Sequence, residues 1–448
     1  MLPLRFMFNR RYPSGMTRLR VTNGRVLRAD HDVERADVLI DQSEGTILAV
    51  GDVSGGDTVI DAEGGIVMPG LINAHTHVAM TLLRGFVEDE PLESWLNDVV
   101  WPVEAALRPA DVRAGARLGV AEMIRSGITA FSDMYFEVSE TADVVAEAGV
   151  RASLGHTAIG VGKEPDAAHA DMERSLETAA AVDGRAGGRI RATVQPHSTS
   201  TVGRECLDAH VPTARKAGFP LHYHTNETRR EVTDLVESTG TRPIVYADEL
   251  DMLRPGDTLA HCNHVDETEI ELLADRDVTV AHNPAANMKV ASGIAPVTRL
   301  REAGVRVALG TDGPASNNDL DLFDEMCDAA MIAKIDTGRA DALPASAVVD
   351  MATKHGAAAL DIDSGRIEPG ANADVIVVDT SEPKFSPGHD PISDLVYTAN
   401  GNDVRHTICD GAVLMRDREL RTIDGERAKR EAARQAEQLF ERAGVTRE

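Results

Sequence analysis

Residues 65–77 read GIVMPGLINAHTH, a short apolar run that closes on two histidines two positions apart. Side chains two apart on a strand point to one face, so His75 and His77 can aim both imidazoles at one point. Alone, such a pair reads as polar residues at a strand end. The pattern recurs seven more times: ITAFSDM (128–134), VRASLGH (150–156), RIRATVQPHS (189–198), FPLHYHTNE (219–227), DTLAHCNH (257–264), VTVAHNP (278–284) and VRVALGTDGP (305–314). Helical patterns separate the runs, among them RPADVRAGARLGVAEMIRSG (108–127), GRECLDAHVPTARKAG (203–218) and DETEIELLADRD (266–277), and LDLFDEMCDAAMIAKI (320–335) follows the last. Eight apolar runs alternating with helices predict an α/β protein built on a (β/α)8 TIM barrel. His75, His77, His197, His224, His261, His282 and Asp312 fall at or just past the C-terminal ends of the runs. In such barrels that face carries the active site.

Either side of the barrel the texture changes. RLRVTNGRVL (18–27), ADVLIDQSEGTILAVG (36–51) and DTVIDAEGGIVMPG (57–70) alternate and are punctuated by turns, and the same texture returns in SGRIEPGANADVIVVDT (364–380) and DVRHTICDGAVLMRDREL (403–420). These read as antiparallel strands. The two stretches predict one small β-sandwich-like domain, residues 16–66 with 366–448, into which the barrel, residues 67–365, is inserted. The closing segment DGERAKREAARQAEQLFERAG (424–444) is helical by pattern and propensity. Residues 1–15, MLPLRFMFNRRYPSG, carry three Arg and no acid and read as a disordered extension, with Met16 as an alternative start.

A chain of 448 residues exceeds one ordinary core and suits a large barrel with a smaller domain. With 42% apolar but only 4% aromatic residues, aliphatic side chains and Ala must fill the interior. The net charge is −27, with 73 acidic against 46 basic residues and only seven Lys. So acidic a surface repels phosphate backbones and anionic lipid, which argues against nucleic-acid and membrane partners. It also suits a high-salt cytoplasm, where screening removes self-repulsion. The melting temperature should therefore fall as KCl is withdrawn; a melting temperature independent of KCl would contradict salt adaptation. Four scattered Cys without a CxxC suit a reducing, cytoplasmic compartment and no disulfide framework. No apolar run approaches transmembrane length.

The H-x-H pair is not isolated. His224 and Asp312 also end strands, and three His with one Asp form a nitrogen-and-oxygen set suited to one zinc or ferrous ion per chain. A coordination position left open to water marks a catalytic site. His222 makes a second H-x-H with His224 but reads as a packing or supporting residue, because Glu227, three positions past His224, fits better. Hydrolysis at a purine carbon needs a proton delivered to a ring nitrogen as water attacks, and Glu227 can shuttle it; the plainer alternative is a solvated Glu in the first turn of a helix. His261 can orient the attacking water. His264 reads as a loop residue and His282 as one behind the ligands. His31, His169, His210, His355, His389 and His406 read as lying outside the site.

Six stretches carry a resemblance: PGLINAHTHVAMTLLRG (69–85), SGITAFSDM (126–134), HYHTNETRREV (222–232), LAHCNHV (259–265), AHNPAANMKVASGIAPV (281–297) and LGTDGPASNNDLDLFDEM (309–326). Together they resemble the amidohydrolase superfamily, and within it the 5-methylthioadenosine/S-adenosylhomocysteine deaminase branch, in family order from about Val21 to Asp417. The resemblance implies a mononuclear metal, usually zinc, on His75, His77, His224 and Asp312. It implies Glu227, His261 and Asp312 as catalytic groups, and substrate contacts from Glu104 (in WLNDVVWPVE, 95–104) and His197 as well as Glu227 and Asp312. The implied reaction converts 5′-methylthioadenosine, S-adenosylhomocysteine, 5′-deoxyadenosine or adenosine to its inosine analogue and ammonia, in a homo-oligomer. No lysine ends the VQPHS strand, so a carbamylated-lysine bridge to a second ion is not expected. Two departures stand out: Pro196-His197-Ser198-Thr199-Ser200, where the family often reads PHSPY or PHAPY, and HTNE, where it often reads HLAE. The first is expected to reshape the pocket wall and the second to add a polar group beside Glu227, neither touching a ligand. Rival readings are a triazine aminohydrolase or chlorohydrolase, a guanine or cytosine deaminase, and a non-catalytic metal-binding scaffold. Glu104 favours a nucleoside, whose ribose hydroxyls flat triazines lack.

Overall fold

A computed structural model describes residues 17–86, 88–90 and 94–445; the expected extension, residues 1–15, lies outside them. The chain enters through β1 (Arg18–Leu27), whose alternation buries Leu19, Val21 and Val26. β1 pairs antiparallel with β2 (Val33–Asp41), and β2 with β3 (Thr46–Gly51). On its other edge β1 takes β4 (Thr58–Asp61) along its first half and β5 (Ile66–Pro69) along its second, both parallel. A single residue, Gly70, separates β5 from β6 (Leu71–Thr76). A Cβ on Gly70 would lie 2.2 Å from Thr129 Oγ1 and 2.4 Å from its Cγ2, so only glycine lets the chain cross this closely from sheet to barrel.

From β6 the barrel runs through β7 (Ile128–Tyr135), β8 (Arg151–Ala158), β9 (Ile190–Ala192), β10 (Gln195–Pro196), β11 (His222–Thr225), β12 (Thr258–His261), β13 (Thr279–His282) and β14 (Arg306–Leu309). Neighbours are parallel throughout: β6, β7 and β8 form one arc and β11 to β14 another, while β9 and β10 both lie on β8. The run 189–198 is therefore two short pieces sharing one stave, interrupted at Thr193 and Val194. Parallel bridges close both seams, Val194 to Leu221 and Ser198 to His224 on one side, Thr76 to Asp312 on the other. Eight staves thus make a closed TIM barrel. Helices return the chain between staves. Pro109–Arg125 begins at a proline, whose missing N–H is no loss in a first turn, and Asp111 accepts the Arg108 N–H at 2.8 Å. The main core is Leu, Val, Ile and Ala with few rings, among them Phe131, Tyr223 and Phe323, as an aromatic-poor chain requires.

After the barrel, β15 (Val375–Val378) returns antiparallel to β5, Val375 opposite Pro69 and Val378 opposite Ile66. β16 (Val404–Cys409), β17 (Ala412–Arg416) and β18 (Glu419–Leu420) continue outward. Hydrogen bonds join both ends of the chain into one nine-stranded sheet with its own core, including Leu19, Ile40, Ile60, Val375, Val377 and Ile408. The last helix, Gly425–Ala443, lies on the barrel beside Pro109–Arg125, where Arg442 pairs with Asp111. Its Phe440 stacks on Phe86 with ring centroids 4.2 Å apart, in a cluster that includes Trp95 and Val103. It thereby braces the segment that bears Glu104. All four cysteines are free. Among the described residues no helix is long and apolar enough to cross a membrane.

Candidate active site

At the C-terminal mouth of the barrel, His75 and His77 leave β6, His224 sits in β11 and Asp312 lies past the end of β14. Each imidazole is tethered through Nδ1. His75 Nδ1 lies 2.9 Å from His222 Nε2, His224 Nδ1 lies 2.9 Å from the His197 carbonyl, and His77 Nδ1 meets the Met134 carbonyl. A carbonyl only accepts, so those two rings carry a proton on Nδ1 and turn Nε2 to the cluster. His75 Nε2 is buried without a partner, 3.5 Å from Asp312 Oδ1, and His77 Nε2 is 3.2 Å from the same oxygen. The donor atoms of His75, His77 and His224 lie within 4.8 Å of one another, as do those of His75, His261 and Asp312. Donors about 2.0–2.1 Å from a tetrahedral zinc sit about 3.4 Å apart. Spacing, orphaned nitrogen and donor chemistry therefore fit a divalent cation.

Electrostatics agree with that use. Burial, despite the facing Asp312 carboxylate, pushes His75 down to about 4, and burial with neighbouring histidines holds His224 well below its usual value, so both stay neutral. Burial opposes the charge of Asp312, but the facing His75 and His77 rings outweigh it and hold the carboxyl well below its ordinary range. Burial likewise opposes charge on His77, yet Asp312 raises it to about 9. A cation entering the cluster must therefore displace a proton from His77, which ties binding to pH.

Supporting groups fix this arrangement. His222 Nδ1 lies 3.0 Å from Ser132 Oγ, so Ser132, His222 and His75 form a chain behind the cluster. Both ring nitrogens of His222 are thus engaged, by Ser132 and His75, whereas His224 keeps Nε2 for the cluster. Removing such a support typically weakens metal affinity 10–100-fold. His222→Ala should show about that loss in competition with a chelator; unchanged affinity would mean His75 needs no such partner. Asp312 is held at both ends: its N–H donates to the His75 carbonyl (3.0 Å) and its Oδ2 accepts from Ser316 Oγ (2.9 Å). Asn226, His261 and Asp312 all take positive φ, 50°, 74° and 59°, a conformation that Asn, Asp and His tolerate better than most residues.

Around the cluster stand the acid/base candidates. Glu227 Oε2 lies 3.8 Å from His261 Nε2, and His261 Nδ1 is 2.8 Å from Asn287 Oδ1. The Asn287 oxygen can only accept, so His261 donates to it from Nδ1 and turns Nε2 to the site. Burial pushes the Glu227 carboxyl up, though His261 pulls the other way. The cavity above is lined by His77, His197, His224, Glu227, His261, Asp312 and Glu104, with Trp95, Trp101, Tyr135 and Phe136 among its apolar walls. Both tryptophans of this aromatic-poor chain are spent here, which suits a flat aromatic ligand. Glu104 is tied to Tyr135, and burial raises it to about 7 although Tyr135 opposes the shift; among the described residues its Oε1 is buried without a partner. His197 is pinned by Thr201 Oγ1 at 3.0 Å, and burial takes it down to about 3, leaving it neutral.

One of the two departures behaves differently from expectation. Asn226 turns away from the cavity, its Nδ2 3.1 and 3.2 Å from the Glu269 carboxylate, so it adds no polar group beside the Glu227 carboxyl. In the other, the His197 carbonyl, common to both patterns, accepts both the N–H and the ring Nδ1–H of His224. His264 serves its loop through the Ser292 carbonyl (2.7 Å). His282 is buried, with neither ring nitrogen partnered among the described residues. Sequence reasoning missed Ser132, Asn287 and Ser316, which become visible only when strands are closed into a ring. It also missed Trp95, Trp101 and Tyr135, although the scarcity of tryptophan was a usable signal.

The model of the amidohydrolase family matches residues 66–414. A 5-methylthioadenosine/S-adenosylhomocysteine deaminase of Haloarcula marismortui is 56% identical over 432 residues, 96% of this chain and 100% of that protein. A 5′-deoxyadenosine deaminase of Methanothermobacter thermautotrophicus is 44% identical, covering 88% of this chain and 92% of its own. The crystal structure of an adenosine deaminase from Xanthomonas campestris with bound zinc superposes with a TM-score of 0.89 at 33% identity, over 94% of this chain and 98% of that one.

Proposed function

The chain belongs to the amidohydrolase family, and from that premise we propose that it is a zinc-dependent hydrolytic deaminase of adenine nucleosides. Its substrates are 5′-methylthioadenosine, S-adenosylhomocysteine, 5′-deoxyadenosine or adenosine; water replaces the C6 amino group, giving the inosine analogue and ammonia. The observation that carries this reading is the pairing of a His/Asp cluster on the cavity floor with an unpartnered Glu104 oxygen on an aromatic wall. The floor suits hydrolysis, and the wall suits a base joined to a sugar that offers hydroxyl donors.

His75, His77, His224 and Asp312 would hold the ion. When bound there, it supplies Lewis acidity that brings deprotonation of water toward neutral pH. Glu227, kept protonated more readily by its burial, donates to purine N1 and so makes C6 electrophilic. Asp312 accepts the proton of the attacking water and passes one to the departing amine. His261, steadied by Asn287, orients the water and the charge that develops at C6. His197 and Glu104 position the nucleoside without touching the reacting carbon.

An ammonia-release screen of the four nucleosides beside a triazine, guanine and cytosine tests the reading. Turnover confined to the nucleosides is expected; preference for a triazine or a free base would overturn it. Within that series, Glu104→Gln should raise KM for ribosides more than it lowers kcat, because the lost contact is to the sugar. Steady-state kinetics showing the reverse split would remove Glu104 from the sugar site.

A further inference from the structure

Far from the cavity lining, the outer helices carry a second group of metal-ligating side chains. Helix Pro165–Val182 bears His169, and helix Arg204–Ala217 bears Cys206 and His210. Cys206 and His210 are four apart and so share one helix face. His169 Nδ1 lies 3.0 Å from His210 Nε2, and the nitrogen and sulfur donors of all three residues fall within 4.8 Å of one another. Cys206 and His210 are 4% and 8% exposed, while His169 is half-buried and opens to solvent, giving an ion a way in. One turn beyond His169 on the same helix is Glu173, which is exposed.

We propose that His169, Cys206 and His210 form a second cation site, of zinc type, with Glu173 or water as fourth ligand. Thiolate with two imidazoles is a soft donor set that selects zinc over magnesium or calcium. The 3.0 Å between imidazole nitrogens is within a few tenths of the roughly 3.4 Å edge of a tetrahedral zinc site. Cys206 and His210 meet His169 across the helix interface, and Glu173 lies one turn from His169. The ordinary alternative is a hydrogen-bonded pair of histidines beside a thiol that donates to the Ala168 carbonyl. An arriving Zn2+ displaces the Cys206 proton: a Zn–S bond forms, the S–H bond breaks and H+ leaves to solvent. An ion here would staple the helix that follows β8 to the helix that follows β10.

Cobalt separates this site from the barrel mouth, whose expected ligands are nitrogen and oxygen only. The full chain, depleted of zinc and reloaded with Co2+, should show a thiolate-to-cobalt charge-transfer band and two cobalt ions per chain. Cys206→Ser should lose the band and one ion while keeping deaminase activity. His169→Ala, a change on the solvent side, should also lose one ion, and His77→Ala should lose the other ion and keep the band. A cobalt-saturated chain without the band, or a band that survives Cys206→Ser, would overturn the proposal. So would an unchanged ion count in His169→Ala. The band and the ion counts do not depend on the substrate.

Discussion

Asp312→Asn and His77→Ala should each reduce ammonia release to background while leaving the fold intact. Both positions converge on one oxygen: Asp312 Oδ1 stands 3.2 Å from His77 Nε2 and 3.5 Å from His75 Nε2. An amide in place of the carboxylate removes the negative charge that makes this nitrogen-rich cluster attractive to a divalent ion. It also removes the proton acceptor assigned to the attacking water, so binding and chemistry fail together. The fold should survive, because the barrel seam at Asp312 is made by main chain: its N–H meets the His75 carbonyl, and its carbonyl accepts from Thr76 Oγ1 at 2.9 Å. His77 is tethered by one side-chain bond to the Met134 carbonyl, and its loss leaves that carbonyl near the open cavity. Circular dichroism should therefore match the parent, while elemental analysis shows the barrel-mouth ion lost or weakly held. Full activity in exhaustively chelated protein would contradict the assignment outright.

Much of this arrangement is legible in one sequence, for a physical reason. A TIM barrel puts the last residue of every stave on one face, so polar residues ending apolar runs are brought together whatever lies between them. His75, His77, His224, His261 and Asp312 are found this way without knowing a distance. Glu104 is not; it lies on a short helix, Trp101–Glu104, outside the repeating pattern, and only resemblance to a family pointed to it. The supporting groups are harder still. Ser132 lies mid-strand in β7, and nothing in ITAFSDM says that its hydroxyl will meet His222 from β11. That contact depends on barrel curvature, which no local period encodes. Asn226 misled for a similar reason. Its neighbour Glu227 faces the cavity, but positive φ at Asn226 swings the amide to Glu269 instead. The flanking sheet was legible as alternating strands; what alternation could not give was the division of the β1 edge between β4 and β5, which follows the register shift between Val21 and Gly24.

Glu227→Gln should cut kcat on the best nucleoside by roughly a hundredfold or more, the usual scale of general acid/base catalysis and about 2.7 kcal/mol in barrier. The substitution keeps the shape of the side chain and leaves its main-chain bonds alone: the Glu227 N–H donates to Glu231 Oε2 at 2.8 Å, and its carbonyl accepts from Asn263 Nδ2 at 3.0 Å. What is lost is an exchangeable acidic proton. Glutamine can still offer an N–H to purine N1, so binding should hold and KM should move by only a few-fold. That split is the opposite of the one expected for Glu104→Gln, where the sugar contact is lost and the chemistry stays. The two variants together therefore sort proton transfer from positioning on the same substrate. The environment of Glu227 sharpens the expectation. Burial raises its carboxyl above the ordinary range, so it holds a proton to higher pH than a solvated Glu and loses it as pH rises through that raised value. The wild-type rate should thus fall on the alkaline side as Glu227 ionises, and the glutamine variant should lack that limb. If Glu227→Gln kept near wild-type kcat, the proton would have to reach N1 by another route, with Asp312 and His261 the remaining titratable groups at the cavity floor.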